Sequence, residues 1–167
     1  ALWITLCVFG AWLPLEAEPL TLRSDMPMDA VSVYSLYEDT GGGATEVILS
    51  GDQDDAFTPV SERRSTLGIT RSVWWIRLPI RNPSDQSLRY LLKYPFPMVD
   101  YVTVYQLSET RELLQVDLMG EKLGEPNSRS KEGYVSELTM PAASNGYLYL
   151  RLENVMGDIL DSYFELG

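Results

Sequence analysis

The chain has 167 residues, with 24 acids against 13 bases and a net charge of -11. A field of that sign repels nucleic-acid phosphates and anionic membrane surfaces, and leaves cations and neutral ligands as the compatible partners. Histidine is absent and cysteine occurs once, at Cys7, so no imidazole-based triad and no His/Cys zinc site can be assembled. The first thirteen residues, "ALWITLCVFGAWL", carry no charge. That run is short for a membrane span, which needs ~20 apolar residues, and fits the apolar core of a secretory leader. Residues 1–17 are therefore read as a partial signal peptide cleaved after Ala17, and 18–167 as one exported domain. Loss of Cys7 with the leader leaves no disulfide, which suits a bacterial periplasm.

Beyond the leader, apolar and polar residues alternate with period two. Strands are predicted over Val31–Tyr37, Val73–Arg81, Leu88–Tyr94, Tyr101–Leu107, Leu113–Met119, Tyr134–Met140, Tyr147–Asn154 and Ile159–Leu166, each rich in residues that strands favour. Turn clusters such as "NPSDQS", "LSETRE" and "PAASNG" separate them. Ala44–Ser50 reads as a single helical turn or short helix. About eight antiparallel strands at this spacing predict an all-β sandwich, most simply a jelly roll.

Residues two apart on a strand share a face. Trp74, Ile76, Leu78 and Ile80 form one face of their strand, and Trp75, Arg77 and Arg81 the other. In the same way Leu148, Leu150 and Leu152 oppose Tyr147, Tyr149 and Arg151, and Val102 and Val104 oppose Tyr101, Thr103 and Tyr105. The second face, with its rings and arginines, suits a sugar or another flat ligand; Trp75, Arg77, Tyr149 and Arg151 are its ligand-binding candidates. The alternatives are that the rings merely cover the outer side of a sheet, with Arg stems lying across them, or that the same residues form a protein interface.

In "SGDQDDAF", Asp52, Asp54 and Asp55 are spaced so that a loop could converge them on a hard cation, and Ca²⁺ is the first to test. "TGGGATE" lacks the Lys-Ser/Thr ending of a phosphate loop and reads as a turn. No pair of carboxylates is singled out for glycoside hydrolysis, so a carbohydrate-active enzyme is the least favoured reading and no catalytic residue is assigned.

Several pieces in order resemble one family: "LGITRSVWWIRLPIRNPSDQ", "VDYVTVYQ", "MGEKLGEPNSRS" and "GYLYLRLEN", with "YSLYEDTGGGATEVIL" as an opening. They look like the type-two periplasmic domain of bacterial seven-transmembrane receptors with diverse intracellular signalling modules. The resemblance implies a jelly roll like those of carbohydrate-binding modules. It also implies a sensory input role, with anchoring to the inner membrane and a histidine kinase or diguanylate cyclase output in a longer parent chain. Carried over by position, Trp75, Arg77, Asp100 and Arg129 match recurrent polar and aromatic positions; Asp100 and Arg129 could equally hold a connector together. The expected partners are thus a small molecule, glycan or calcium ion, the rest of the receptor, and a second copy or sister receptor as the interaction alternative.

Overall fold

The computed structural model describes residues 18–60, 66–124, 129–130 and 132–167, with the Arg129 and Ser130 side chains outside the description. The expected leader, residues 1–17, lies outside the described residues. The strands are β1 Leu20–Thr21, β2 Asp29–Ala30, β3 Tyr34–Asp39, β4 Thr58–Val60, β5 Thr66–Ile69, β6 Val73–Asn82, β7 Leu88–Tyr94, β8 Tyr101–Ser108, β9 Leu113–Met119, β10 Arg129–Ser130, β11 Gly133–Met140, β12 Ser144–Glu153, β13 Ile159–Asp161 and β14 Glu165–Leu166; one helix, α1, spans Thr45–Ser50. Among the described residues no helix is long and apolar enough to cross a membrane.

Two sheets form the sandwich. The larger runs β4-β3-β6-β12-β8-β9, with β1 added to β6, and the smaller runs β10-β11-β7-β14-β2. The pairing of β1 with β6 is parallel, a departure from the expected all-antiparallel arrangement. The even-numbered residues of β6, β8 and β12 point between the sheets: Ile76, Leu78, Ile80, Val102, Val104, Leu148, Leu150 and Leu152 are all buried there. Tyr90, Leu92, Tyr94, Tyr134, Leu138 and Met140 meet them from β7 and β11. Sealing the sandwich leaves polar groups that need partners, and for Tyr90, Gln106 and Tyr94 the core supplies them. The Tyr90 hydroxyl donates to Gln106 Oε1 at 3.0 Å, Gln106 Nε2 to the Thr139 carbonyl at 2.8 Å, and the Tyr94 hydroxyl to the Asp161 carbonyl at 2.7 Å.

The expected strand Ile159–Leu166 is two strands, β13 and β14, which join different sheets. The break has a local cause. Asp161 Oδ1 accepts the Tyr163 N–H at 2.9 Å, a side-chain-made turn that replaces a ladder bond. The expected Val31–Tyr37 strand starts later, at Tyr34, and runs on to Asp39, whose carboxylate takes the N–H groups of Gly41 and Gly43 and so turns the chain towards α1.

Candidate functional site

The outer face of the larger sheet is built by register. Trp75 stands between Tyr37 of β3 and Arg151 of β12, Arg77 between Ser35 and Tyr149, and Tyr149 opposite Tyr105 of β8. The three strands read as sharing this face are neighbours, and their odd-numbered side chains do point away from the sandwich core.

The face is nevertheless not open, which corrects the expectation of an outward-looking surface. Trp75 and Tyr149 are 0 % exposed and Arg77 is 7 % exposed. The reason is the chain between β3 and β4, which folds back over them. Six residues of α1 end at Gly51, whose left-handed φ of 93° is the usual glycine stop, with its N–H on the Ile48 carbonyl. A 3-10 turn, Asp54–Ala56, then leads to Phe57. Ile48 and Phe57 plug down onto Trp75, Tyr149, Leu107 and Val73 as a second, smaller core. Phe57 meets Tyr37 and Tyr149 with ring centroids 5.5 and 5.9 Å apart, and Trp75 stacks on Tyr105 at 5.9 Å. Period-two reasoning gives the side of the sheet correctly but is blind to a covering segment 18–30 residues earlier in the chain.

Among the described residues one carboxylate fastens this cover electrostatically. Asp54 Oδ1 lies 2.7 Å from Arg77 Nη1, and Asp54 Oδ2 is in direct contact with Arg111 Nη2. Arg111 Nη1 also donates to the Tyr149 hydroxyl at 2.5 Å, and that hydroxyl approaches Asp54 Oδ1 at 3.4 Å. Arg77 Nη1 has this ion pair as its contact, whereas Arg77 Nε and the Trp75 indole N–H have no acceptor. Burial pushes the Tyr149 phenol up to about 12; Arg111 pulls against that rise and Asp54 adds to it, so the hydroxyl stays protonated as a donor. Arg111 was not singled out from sequence. It sits in the "LSETRE" turn with φ 67°, a left-handed conformation uncommon for a long side chain.

The other expected site residues are placed differently. Arg151 pairs with Glu153 at 2.5 Å and lies 6.0 Å from the centre of the Trp75 ring, at the rim of the covered face. Asp100 is at the head of β8 and holds loops together: its Oδ2 accepts the Val155 N–H at 2.7 Å, its own N–H donates to Asn154 Oδ1 at 2.9 Å, and Lys122 Nζ lies 3.7 Å from Oδ1. It takes no part in the Arg77–Tyr149 cluster. Arg129 lies opposite Tyr134 in β10, and its side chain is outside the described residues. Asp52 and Asp55 are exposed while Asp54 turns inward to the arginines. Among the described residues no three acidic side chains converge as a cation site, so the expected convergence of Asp52, Asp54 and Asp55 does not occur. An open cleft of about 720 Å³ flanks the cover, lined among others by Tyr37, Glu38, Ala56, Thr58 and Trp74.

The β-sandwich thus carries a buried, ring-lined polar cluster on the outer face of its larger sheet. Residues 32–159 match the family model described as 7TMR-DISM extracellular 2. The chain belongs to this family, and is thus an extracellular, periplasmic domain of a membrane receptor whose parent spans the membrane seven times. A comparison with curated proteins finds no match.

Proposed function

We propose that the domain is the sensory input module of its receptor, and that its ligand is sensed on the outer face of β6, β12 and β8 by competing with the covering residues 45–57. The observation that carries this reading is the pair of unpartnered donors, Trp75 Nε1 and Arg77 Nε, beneath a segment whose charged hold, among the described residues, is one carboxylate. Buried donors without acceptors each cost about 1–3 kcal/mol, so the closed arrangement is stable but not fully satisfied. A small organic molecule or glycan that supplies acceptors and a stacking ring gains by replacing the cover. It biases the receptor only through its differential affinity for the open and closed states, and couplings of about 1–3 kcal/mol are typical.

The second reading is an interaction domain that pairs with another copy. It is favoured by the outermost strand β9, where Leu113, Leu114, Val116 and Leu118 are 43–54 % exposed. A two-fold axis through Val116 would set Leu114 against Leu118 and Gln115 against Asp117, with no like charges opposed.

One experiment separates the two. In a receptor carrying this domain, Asp54→Asn is expected to shift basal output at least threefold, while Val116→Lys leaves it within error. The reverse pattern favours the interface. Unchanged output in Asp54→Asn contradicts the proposed sensing face.

A further inference from the structure

We infer that the ligand of this face is a ring-bearing carboxylate, a sugar acid in chemical class, and that Asp54 occupies the carboxylate's place in the closed domain. The inference rests on the sensing face proposed above.

The cradle is built for a planar two-oxygen anion. Each Asp54 oxygen meets a different arginine, Oδ1 with Arg77 and Oδ2 with Arg111, and the Tyr149 hydroxyl reaches towards Oδ1. Arginine forks are the groups of choice for carboxylate recognition. Two guanidiniums face one carboxylate, so the cluster keeps a surplus positive charge. Its unused donors, on Arg77 and Trp75, point to an acceptor-rich guest larger than an aspartate side chain.

The surroundings are shaped around that cradle as well. A Cβ at Gly51 would lie 3.3 Å from the Arg111 guanidinium carbon and 3.4 Å from Asp54 Oδ2, at a φ that only glycine adopts without strain. Arg111 itself holds a left-handed backbone, where glycine or asparagine would cost less. At Arg111 the contact with Asp54 is thus kept against local backbone preference, while Gly51 leaves the room it needs. The floor supplies the ring-binding part: Trp75, Tyr105 and Tyr149 lie side by side, and the Arg111 guanidinium is 4.0 Å from the centre of the Tyr147 ring.

The chain's net charge of -11 favours cations and neutral ligands at long range, but it does not decide the matter here. Exposed charges are screened beyond ~8 Å at physiological salt, whereas the arginines act at contact distance. The tethered Asp54 is an internal competitor. A ligand that binds only the open fraction has its apparent affinity reduced by that fraction, so weakening the competitor must tighten binding.

The test is calorimetric titration of the protein with sodium D-galacturonate, with D-galactose as the neutral ring and sodium chloride balancing ionic strength. Asp54→Asn, nearly the same size, is expected to bind galacturonate at least tenfold more tightly than wild type. Galactose is expected to bind neither, and adding Arg111→Gln to Asp54→Asn is expected to abolish the gain. Galacturonate binding that is absent, or no tighter in Asp54→Asn, overturns the inference. Should Asp54→Asn fail to fold, Arg111→Gln alone decides: it must change galacturonate binding and leave the thermal transition cooperative, and unchanged binding overturns the inference. Galactose binding as tightly as galacturonate removes the acid class and leaves the sensing face standing. If neither sugar binds and receptor output is also unmoved by Asp54→Asn, both fall.

Discussion

Trp75→Ala is expected to destabilise the domain by about 3 kcal/mol, at the lower end of the ~3–5 kcal/mol range for emptying a large aromatic site, and to lower Tm by roughly 10 °C. Trp75 is 0 % exposed and stacks on Tyr105, which argues for the upper end. Its environment argues for the lower. Trp75 belongs to the small core beneath residues 45–57 and not to the core between the sheets. The cavity is roofed by a six-residue helix and a 3-10 turn, and such a roof can settle or detach at less cost than a sheet can move. A second sign follows from the same geometry. The variant should lose protection from proteolysis around α1 while β6 and β12 keep theirs. Thermal denaturation with limited proteolysis checks both parts. A loss near 1 kcal/mol, with α1 no more accessible, would mean that Trp75 does not support the cover.

Gly120→Ala is expected to cost more, on the order of 4 kcal/mol or failure to fold, for a reason unrelated to the covered outer face. Gly120 has φ 139° and ψ 167°, a region that is essentially glycine's alone. A Cβ there would stand 2.2 Å from the Asp100 carbonyl oxygen and 2.8 Å from Tyr101 Cα. These are backbone atoms at the head of β8 and cannot rotate away. The turn after Gly120 also hangs on this junction: the Glu121 and Lys122 N–H groups donate to the Val99 and Asp100 carbonyls. Gly42→Ala is the matched control. Gly42 is also left-handed, at φ 63°, but nothing lies within 4 Å of its added Cβ, so only the backbone penalty of about 1–2 kcal/mol remains. Urea unfolding of the two variants should differ by at least 2 kcal/mol. Equal midpoints would show that the close approach at Gly120 is not a constraint.

How much of this could be read in the sequence depends on how far apart the interacting residues lie. Leu88–Tyr94 and Leu113–Met119 form strands with the expected ends, and Val73–Arg81 gains one residue, because alternation and flanking turn residues act within a few positions. The face assignments of Trp75, Arg77, Tyr149 and Arg151 hold for the same reason. The two-residue strands β1, β2 and β10 are too short for any period to register. The covering of the outer face of β6, β12 and β8 is equally hidden. Asp54 meets Arg77 across 23 positions and Arg111 across 57, and nothing in "GDQDDAF" distinguishes a carboxylate bound for two arginines from its two exposed neighbours. One clue was available. Ile48 and Phe57 are apolar residues flanking an acidic turn, and an apolar pair on a short excursion needs a surface to cover. Asp100 shows the converse. Its partners are the Val155 and Lys122 groups that brace two loops, and none of them lies within a few positions of it in the chain.

Amide hydrogen exchange of wild type against Asp54→Asn tests most directly whether one carboxylate holds the cover closed. The Gly51 and Phe57 amides, bonded to Ile48 and Asp54 carbonyls, should exchange at least tenfold faster in the variant, while those pairing β6 with β12 keep their wild-type rates. Uniform acceleration across both sheets, or no change at Gly51 and Phe57, would contradict the account.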